Sequence, residues 1–151
     1  MATIEGRIKA ISVSKERGTR KVNVPKAELK ADFGVVGDAH AGNWHRQVSL
    51  LAVESIDKMI ANGINVSPGD FAENITTEGI ELLNLSIGTK LKLGKNVELE
   101  ITQSGKKCHN RCKIFEQIGD CIMPREGIFA KVTTPGQIKV GDVIEVIINN
   151  D

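Results

Sequence analysis

The three cysteines of the chain lie within one short stretch, GKKCHNRCKIFEQIGDC, which starts at Gly105. The stretch contains Cys108, Cys112, Cys121 and His109, one of only three histidines. Three thiolates and one imidazole form the ligand set of many structural zinc sites. Such sites usually present two closely spaced pairs, whereas Cys121 stands apart from the others. The stretch therefore predicts a thiol-based site in which zinc is one candidate metal.

Basic side chains flank two of these cysteines, Cys108 and Cys112. The basic residues nearest to them are Lys106, Lys107, Arg111 and Lys113. Nearby cations favour the thiolate, which is the form of cysteine that attacks electrophiles and binds metals. Cys108 and Cys112 are therefore the candidate catalytic thiols. The competing interpretation is that the cysteines only pack in the core, where this residue type is common, and it applies best to Cys121.

A second group of polar residues lies in the glycine-rich segment GDAHAGNWHRQVSLL. It contains Asp38, His40, His45 and Arg46 within nine residues. Such a loop can collect an anionic ligand through its backbone N–H groups and its side-chain charges. Three alternatives remain open: a solvated surface loop, a packed pair of Trp44 and His45, and a metal site built on His40 and His45.

A third group lies in PGDFAENITTEG, where Glu73 and Asn74 stand between apolar Phe71 and Ile75. The pattern fits a strand with a polar outer face and a functional carboxyl–amide pair equally well. A weaker candidate is Arg125 in the turn segment IMPREG. An arginine there is able to bind an anion, but a lone arginine in a turn is usually solvated.

Composition limits the functional classes. The 151 residues predict one domain over residues 1–151. The formal charge of +1 gives no general attraction to nucleic acid or acidic membranes, and 3% aromatic residues supply few stacking platforms for a single-strand binder. Three cysteines cannot all pair within one chain, and no apolar run resembles a signal peptide or a membrane span. We therefore expect a cytoplasmic protein with reduced thiols.

Short strands are the main elements available to position these groups. Strands are predicted over residues 3–14, 20–25 and 46–51, around a hairpin turn at Gly94 to Asn96, and twice after residue 127. A helix is predicted over 52–63, with Gly63 just past its C-cap, and a shorter one over 109–119, ending at Gly119. Residues 30–45 are predicted to form a long loop.

The stretches IGTKLKLG and VGDVIEVI share a local pattern, since both place an apolar residue and a glycine before a short alternating strand. The pattern favours a repeated corner of a β-barrel, in which the glycine turns the chain. The predicted fold class is a β-rich α+β protein, a barrel with a few short helices.

These segments, in this order, resemble the MOSC domain, which is named after the C-terminal part of molybdenum cofactor sulfurase. The matching stretches are GDAHAGNWHRQVSLL, PGDFAENITTEGIEL, IGTKLKLG, LEITQSGKKC and VGDVIEV. The chain looks like a small stand-alone bacterial MOSC protein. The resemblance implies a MOSC-type β-barrel and a link to molybdenum cofactor (molybdopterin). Relatives include the sulfurase domain, the mitochondrial amidoxime-reducing component and bacterial reductases of N-hydroxylated bases.

The resemblance also implies roles for individual residues. The family cysteine that ligates molybdenum follows a strand ending in a TQ-like pair, which matches Cys108, with Cys112 as the alternative. We expect Arg46 and His40 near the pterin phosphate. The full predicted cofactor-binding set is Asp38, His40, Arg46, Glu73, Asn74, Lys106 and Arg111. The additional Cys112, Cys121 and His109 depart from familiar MOSC reductases, and would hold a second metal, resolve a persulfide, or do neither.

Three functions follow from these expectations. The first is a molybdenum cofactor protein that passes on the cofactor or its sulfur, or performs reductive oxo-transfer with an external electron donor. Its partners would be enzymes that make or use the cofactor. The second is a persulfide carrier that receives sulfur from a cysteine desulfurase by thiol exchange. The third is a non-catalytic binding module stapled by zinc at Cys108, Cys112, His109 and Cys121.

Overall fold

The computed structural model of the protein describes residues 4–17, 19–104 and 126–147. Over these ranges the chain forms eleven β-strands, one α-helix and one short 3₁₀ helix. In chain order they are β1 (Ile4–Val13), β2 (Val22–Val24), β3 (Lys26–Lys30), β4 (Gly34–Val35), β5 (Val48–Ala52), α1 (Val53–Ala61), β6 (Ile75–Glu78), the 3₁₀ helix (Leu82–Asn84), β7 (Lys90–Leu93), β8 (Val97–Ser104), β9 (Ile128–Thr134), β10 (Gly136–Lys139) and β11 (Val143–Ile147).

Seven of the strands close into a barrel, in the order β11-β7-β8-β9-β5-β6-β1. The ring closes where β1 pairs with β11, with Ile4 opposite Val146. An odd number of strands cannot alternate in direction around a closed ring, so one pair must be parallel. That pair is β5 and β6, which α1 connects as a crossover. The strand β2 extends the sheet beyond β1, and β3, β4 and β10 form a small separate sheet. The barrel confirms the predicted fold class.

The main core fills the barrel and follows the two-residue period of the strands. In β8, Val97, Leu99 and Ile101 are fully buried, while the residues between them are partly exposed. The strand β5 is buried at every position, because α1 covers its outer face. A second apolar cluster therefore lies outside the barrel, and it includes Leu51 and Phe71.

The helix α1 confirms the prediction over residues 52–63 and ends as its glycine indicated. Gly63 adopts a φ of 87° just past the C-cap Asn62. Its N–H donates to the carbonyl of Ile60, and the N–H of Ile64 donates to the carbonyl of Met59. These two bonds form a Schellman motif, in which a glycine in the left-handed conformation allows the last carbonyls of the helix to accept hydrogen bonds. Ile64 also packs against the cluster that contains Met59.

The two glycine-containing corners are equivalent in space as well as in sequence. Gly88 and Gly141 have φ values of 95° and 94°, and each precedes a strand, β7 and β11. The N–H of Gly88 donates to Ile101 in β8, and that of Gly141 donates to Ile8 in β1. The strands β7 and β11 then pair with each other, with Leu91 opposite Val146. The repeated sequence pattern is therefore a repeated corner of the barrel.

The small sheet differs from the prediction. The chain continues after Pro25 as β3, and β4 lies within the segment predicted to be a loop. The region after residue 127 contains three strands rather than two, because β10 pairs with β3. Only Leu29 is buried in β3, so the strand has almost no apolar periodicity to detect. The shorter predicted helix, over residues 109–119, lies outside the described residues.

None of the helical segments in the described part of the chain has the length and apolar character that a membrane-spanning helix requires.

Candidate functional site

Asp38 anchors the glycine-rich loop from inside the protein. Its Oδ1 lies 2.7 Å from Nζ of Lys21 and accepts the N–H of Ser14, while Oδ2 accepts the N–H of His40. Burial opposes ionisation of this carboxyl, but the hydrogen bond and charge of Lys21 and the N–H of Ser14 outweigh it. The pKa of Asp38 therefore lies below its ordinary value of 3.8. The buried ion pair fixes the start of the loop against the end of β1.

His40 lies beside this ion pair. Its Nδ1 is 3.1 Å from Nζ of Lys21. An ammonium group only donates, so Nδ1 accepts and the ring proton of a neutral His40 resides on Nε2. The backbone carbonyl of His40 accepts the indole N–H of Trp44 at 2.7 Å. His40 thus links the buried ion pair to the exposed part of the loop.

The second half of the loop brings cationic and aromatic side chains together. The guanidinium carbon of Arg46 lies 5.9 Å from the Trp44 ring centroid and 5.4 Å from that of Phe129. Arg17 lies 5.0 Å from the same Trp44 ring. Trp44 and His45 meet edge to face at 5.8 Å, which confirms that they form a packed pair. Cations held against ring faces gain electrostatic stabilisation while keeping their charge.

Gln103 connects this loop to the end of β8. Its Oε1 accepts a hydrogen bond from Nε of Arg46 at 3.0 Å and lies 2.9 Å from Nε2 of His45. The hydroxyl of Thr102 donates to the backbone carbonyl of His45. Ser104 is the last residue of β8, and it precedes Cys108 by four residues in the sequence. We define the Arg46 cluster as Arg17, Trp44, His45, Arg46, Gln103 and Phe129.

The terminal nitrogens of Arg46 are available to a ligand. Within residues 4–17, 19–104 and 126–147, the hydrogen bond of the Arg46 side chain is made by Nε, and neither Nη1 nor Nη2 has a hydrogen-bond or ion-pair partner. A guanidinium held in this way presents two parallel donors, the geometry that recognises carboxylate and phosphate.

Asn74 is fully buried, and its side-chain amide forms hydrogen bonds to the backbone of two strands. Its Oδ1 accepts the N–H of Ser49 at 3.0 Å, and its Nδ2 donates to the carbonyl of Ser12 at 3.1 Å. Ser49 is in β5, the strand that follows the glycine-rich loop, and Ser12 is in β1. The side chain of Asn74 therefore ties together the two strands that frame the loop.

Glu73 is also fully buried, directly after Ala72, which has a φ of 65°. Its Oε1 accepts the N–H of Phe71 at 3.3 Å, and its Oε2 accepts the hydroxyl of Thr76 at 3.0 Å. Burial raises the pKa of Glu73 to about 7, and the hydrogen bonds from the backbone and from Thr76 only partly oppose it. Neither Glu73 nor Asn74 lies on a polar outer face.

The remaining predicted site residues lie outside the described residues. They are Lys106, Cys108, His109, Arg111, Cys112, Cys121 and the weaker candidate Arg125. Among the residues that the structure does describe, no group of three or more His, Cys, Asp and Glu side chains is placed to hold a metal ion. The proposed metal ligation by His40 and His45 is therefore not supported by a third ligand from the described chain.

The glycine-rich loop, Glu73, Asn74 and the end of β8 all lie within the part of the chain that matches a known domain family. The sequence model of the MOSC domain matches residues 37–145, which is well over half of the chain. The chain belongs to the MOSC domain family. This family is linked to molybdenum cofactor sulfurase and is associated with molybdenum cofactor. The matched range of this MOSC domain begins at the glycine-rich loop and ends in β11.

Solved structures share the fold of this MOSC domain at low sequence identity. The YuaD protein from Bacillus subtilis has a TM-score of 0.80 at 17% identity, covering 96% of this chain and 97% of that one. YiiM from Geobacillus stearothermophilus has a TM-score of 0.71 at 17% identity, covering 95% and 75%. YiiM from Escherichia coli has a TM-score of 0.68 at 18% identity, covering 96% and 71%. No curated protein matches the chain by sequence.

Sequence reasoning missed three residues of this MOSC site: Lys21, Arg17 and Gln103. Lys21 and Arg17 are distant in sequence from the loop and meet it only because β1 and β2 lie beside it. Gln103 had a visible signal, since it belongs to the TQ pair at the end of β8. That pair served only to locate the cysteine, whereas the structure places Gln103 against Arg46.

A groove of about 560 Å³ lies between α1 and residues 79–84. Glu126, where the described chain resumes after the cysteine stretch, lines this groove. Its carboxylate accepts the hydroxyl of Ser55 at 2.8 Å and lies 3.3 Å from Nζ of Lys58. The groove and the Arg46 cluster share no lining residue.

Proposed function

We propose that this MOSC protein binds molybdenum cofactor, with the Arg46 cluster holding the cofactor phosphate and the thiolate of Cys108 ligating molybdenum. It would then transfer the cofactor or its sulfur to an enzyme that uses the cofactor, or would itself use the cofactor for reductive oxo-transfer. The observation that carries the proposal is Arg46, a cation fixed by Gln103 and two aromatic rings, whose terminal nitrogens have no partner among the described residues.

The Arg46 cluster fits a phosphate group. Two adjacent N–H donors match two phosphate oxygens, and a guanidinium keeps its charge at every physiological pH. Arg17, on the same indole ring, adds a second positive charge. The aromatic rings of Trp44 and Phe129 reduce the access of water to the guanidinium, which strengthens a charged hydrogen bond. The buried groups Asp38 and Asn74 support the binding role by holding the loop in place.

The strand β8 relates this cluster to the proposed thiolate ligand. Four residues of chain span at most about 14 Å, so Cys108 is limited to that distance from Ser104. Gln103, the neighbour of Ser104, bonds to Arg46. A thiolate is a soft ligand suited to transition metals. When bound, the cofactor would supply the redox chemistry of molybdenum, and a reductase would need an external electron donor.

The test measures molybdenum, zinc and pterin in protein purified without air from a molybdate-supplied host. Wild type is compared with Cys108→Ser, Cys112→Ser and Arg46→Gln. Arg7→Gln is the matched control, since Arg7 is an exposed arginine on β1. We expect near-stoichiometric molybdenum in wild type and Arg7→Gln, and loss of most of it in Cys108→Ser and Arg46→Gln.

Three outcomes would contradict the proposal. Wild type with zinc but no molybdenum or pterin would favour a zinc-stapled binding module. Molybdenum that stays unchanged in both Cys108→Ser and Cys112→Ser would rule out Cys108 and its alternative, Cys112, as the ligand. A mass increase of one sulfur after incubation with a cysteine desulfurase, in protein without molybdenum, would favour the persulfide carrier instead.

A further inference from the structure

One oxygen atom, Oε1 of Gln103, contacts both His45 and Arg46, the basic side chains at the C-terminal end of the glycine-rich loop. It lies 3.0 Å from Nε of Arg46 and 2.9 Å from Nε2 of His45. The Nε of an arginine can only donate a hydrogen bond, so the atom facing it must be the amide oxygen rather than the amide nitrogen. The orientation of the Gln103 amide is therefore fixed by chemistry.

The same logic determines the hydrogen on His45. Since Oε1 of Gln103 is an acceptor, Nε2 of His45 must carry a hydrogen in order to bond with it. A neutral His45 is then the Nε2–H tautomer, with an unprotonated Nδ1. The amide oxygen of Gln103 thus determines both the tautomer of a neutral His45 and the orientation of the Arg46 guanidinium.

We infer that Gln103 is a positioning residue, which orients Arg46 and His45 toward the ligand of the proposed function. This inference rests on the assignment of the cofactor phosphate to the Arg46 cluster. Gln103 bonds to Nε and leaves Nη1 and Nη2 for the ligand, whereas a partner on the terminal nitrogens would compete with it. Gln103 also belongs to β8, so the contact ties the loop that carries Arg46 to a strand of the barrel.

The Trp44 and Phe129 rings cannot replace this contact. A ring face attracts a guanidinium without directional hydrogen bonds, so it restrains the position of Arg46 more than its rotation. The hydrogen bond from Nε fixes the rotation about the side-chain axis, which decides where the two terminal nitrogens point. Gln103 supplies the one directional contact that the described chain makes with the Arg46 side chain.

The test compares Gln103→Met, which keeps the length and loses the acceptor, with Gln103→Glu, which keeps an acceptor at the same reach. Ser104→Ala is the control, because Ser104 is the exposed neighbour of Gln103 on β8. The first readout is solvent exchange of the Arg46 Nε–H in nuclear magnetic resonance spectra. The second is the rate at which bound molybdenum is lost on dilution.

In Gln103→Met we expect exchange of the Arg46 Nε–H and loss of molybdenum each to become about tenfold faster or more, the factor expected for a lost hydrogen bond to a charged group. Ser104→Ala should stay within about twofold of wild type in Nε–H exchange, and Gln103→Glu should exchange no faster than wild type, because a carboxylate is the stronger acceptor. Unchanged exchange in Gln103→Met would overturn the inference. If Gln103→Met does not fold, Gln103→Asn replaces it, since its acceptor is one methylene too short.

The two proposals fail in different ways. If wild type holds no molybdenum, the proposed function fails, and the Nε–H exchange still decides whether Gln103 positions Arg46. If wild type holds molybdenum and Gln103→Met releases it at the wild-type rate, Gln103 is not a positioning residue for that ligand, although the cofactor-binding function stands.

Discussion

Replacing Glu73 by glutamine should change how stability depends on pH. The carboxyl is fully buried, with hydrogen bonds from the N–H of Phe71 and the hydroxyl of Thr76. Its pKa rises from 4.5 to about 7 because burial disfavours the charged form. A glutamine amide is neutral, has the same shape, and can accept from Phe71 while donating to Thr76. It therefore mimics the protonated carboxyl.

The sign follows from which state holds the proton. Below pH 4.5 both the folded and unfolded states are protonated at Glu73, so the residue adds no pH dependence. Between pH 4.5 and about 7 the folded state keeps a proton that the unfolded state has lost, so raising the pH favours unfolding. Above about 7 both states are ionised, and the destabilisation is complete.

The magnitude follows from the same two values. One pKa unit corresponds to about 1.4 kcal/mol, so a rise from 4.5 to about 7 corresponds to about 3 kcal/mol of unfolding free energy. We expect Glu73→Gln to match wild type within about 1 kcal/mol at pH 5 and to exceed it by about 3 kcal/mol at pH 8.

Urea unfolding of both proteins at half-unit intervals from pH 5 to 8 measures this difference. Subtracting the two curves removes contributions from other groups that titrate in both proteins. Asp38 does not interfere, because the charge of Lys21 and its hydrogen bonds lower its pKa from 3.8, away from the pH range of the measurement. Glu28→Gln, at an exposed position of β3, controls for the loss of one carboxylate. A difference between wild type and Glu73→Gln that stays constant from pH 5 to 8 would refute the reasoning.

Two further predictions concern the buried groups that hold the loop. Asn74→Ala should lower the unfolding free energy by about 3 kcal/mol or more, because the buried N–H of Ser49 and the carbonyl of Ser12 lose their partner. The control, Asn84→Ala at an exposed site, should lower it by less than about 1 kcal/mol. Urea unfolding measures both variants. Lys21→Met should cost about 3–5 kcal/mol at pH 7, because it leaves the Asp38 carboxylate unpaired, and Asp38→Asn in the same protein should recover part of the loss. A Lys21→Met protein as stable as wild type would contradict the second prediction. The variants of Cys108, Arg46 and Gln103 described above complete the set.

The sequence predicted those features that depend on neighbouring residues. The helix α1 combines apolar spacing with a C-terminal glycine, and both act within a few residues. The two glycine corners and the β7–β8 hairpin are equally local. The MOSC family was also recognisable, because its ordered segments survive at the level of residue types and the family model matches them.

The tertiary structure alone decided how the site is assembled. Lys21 meets Asp38, and Gln103 meets both Arg46 and His45, across sequence separations of 17 and 57–58 residues. Sequence spacing cannot reveal such pairs, because they depend on the barrel, in which only β9 separates β8 from β5 and only β6 separates β5 from β1. The raised pKa of Glu73 also depends on tertiary packing, because Glu73 is fully buried and follows Phe71 and Ala72, which belong to the apolar cluster outside the barrel. Residue types thus set the chemistry that this protein can perform, and the closure of the barrel decides which of those residues act together.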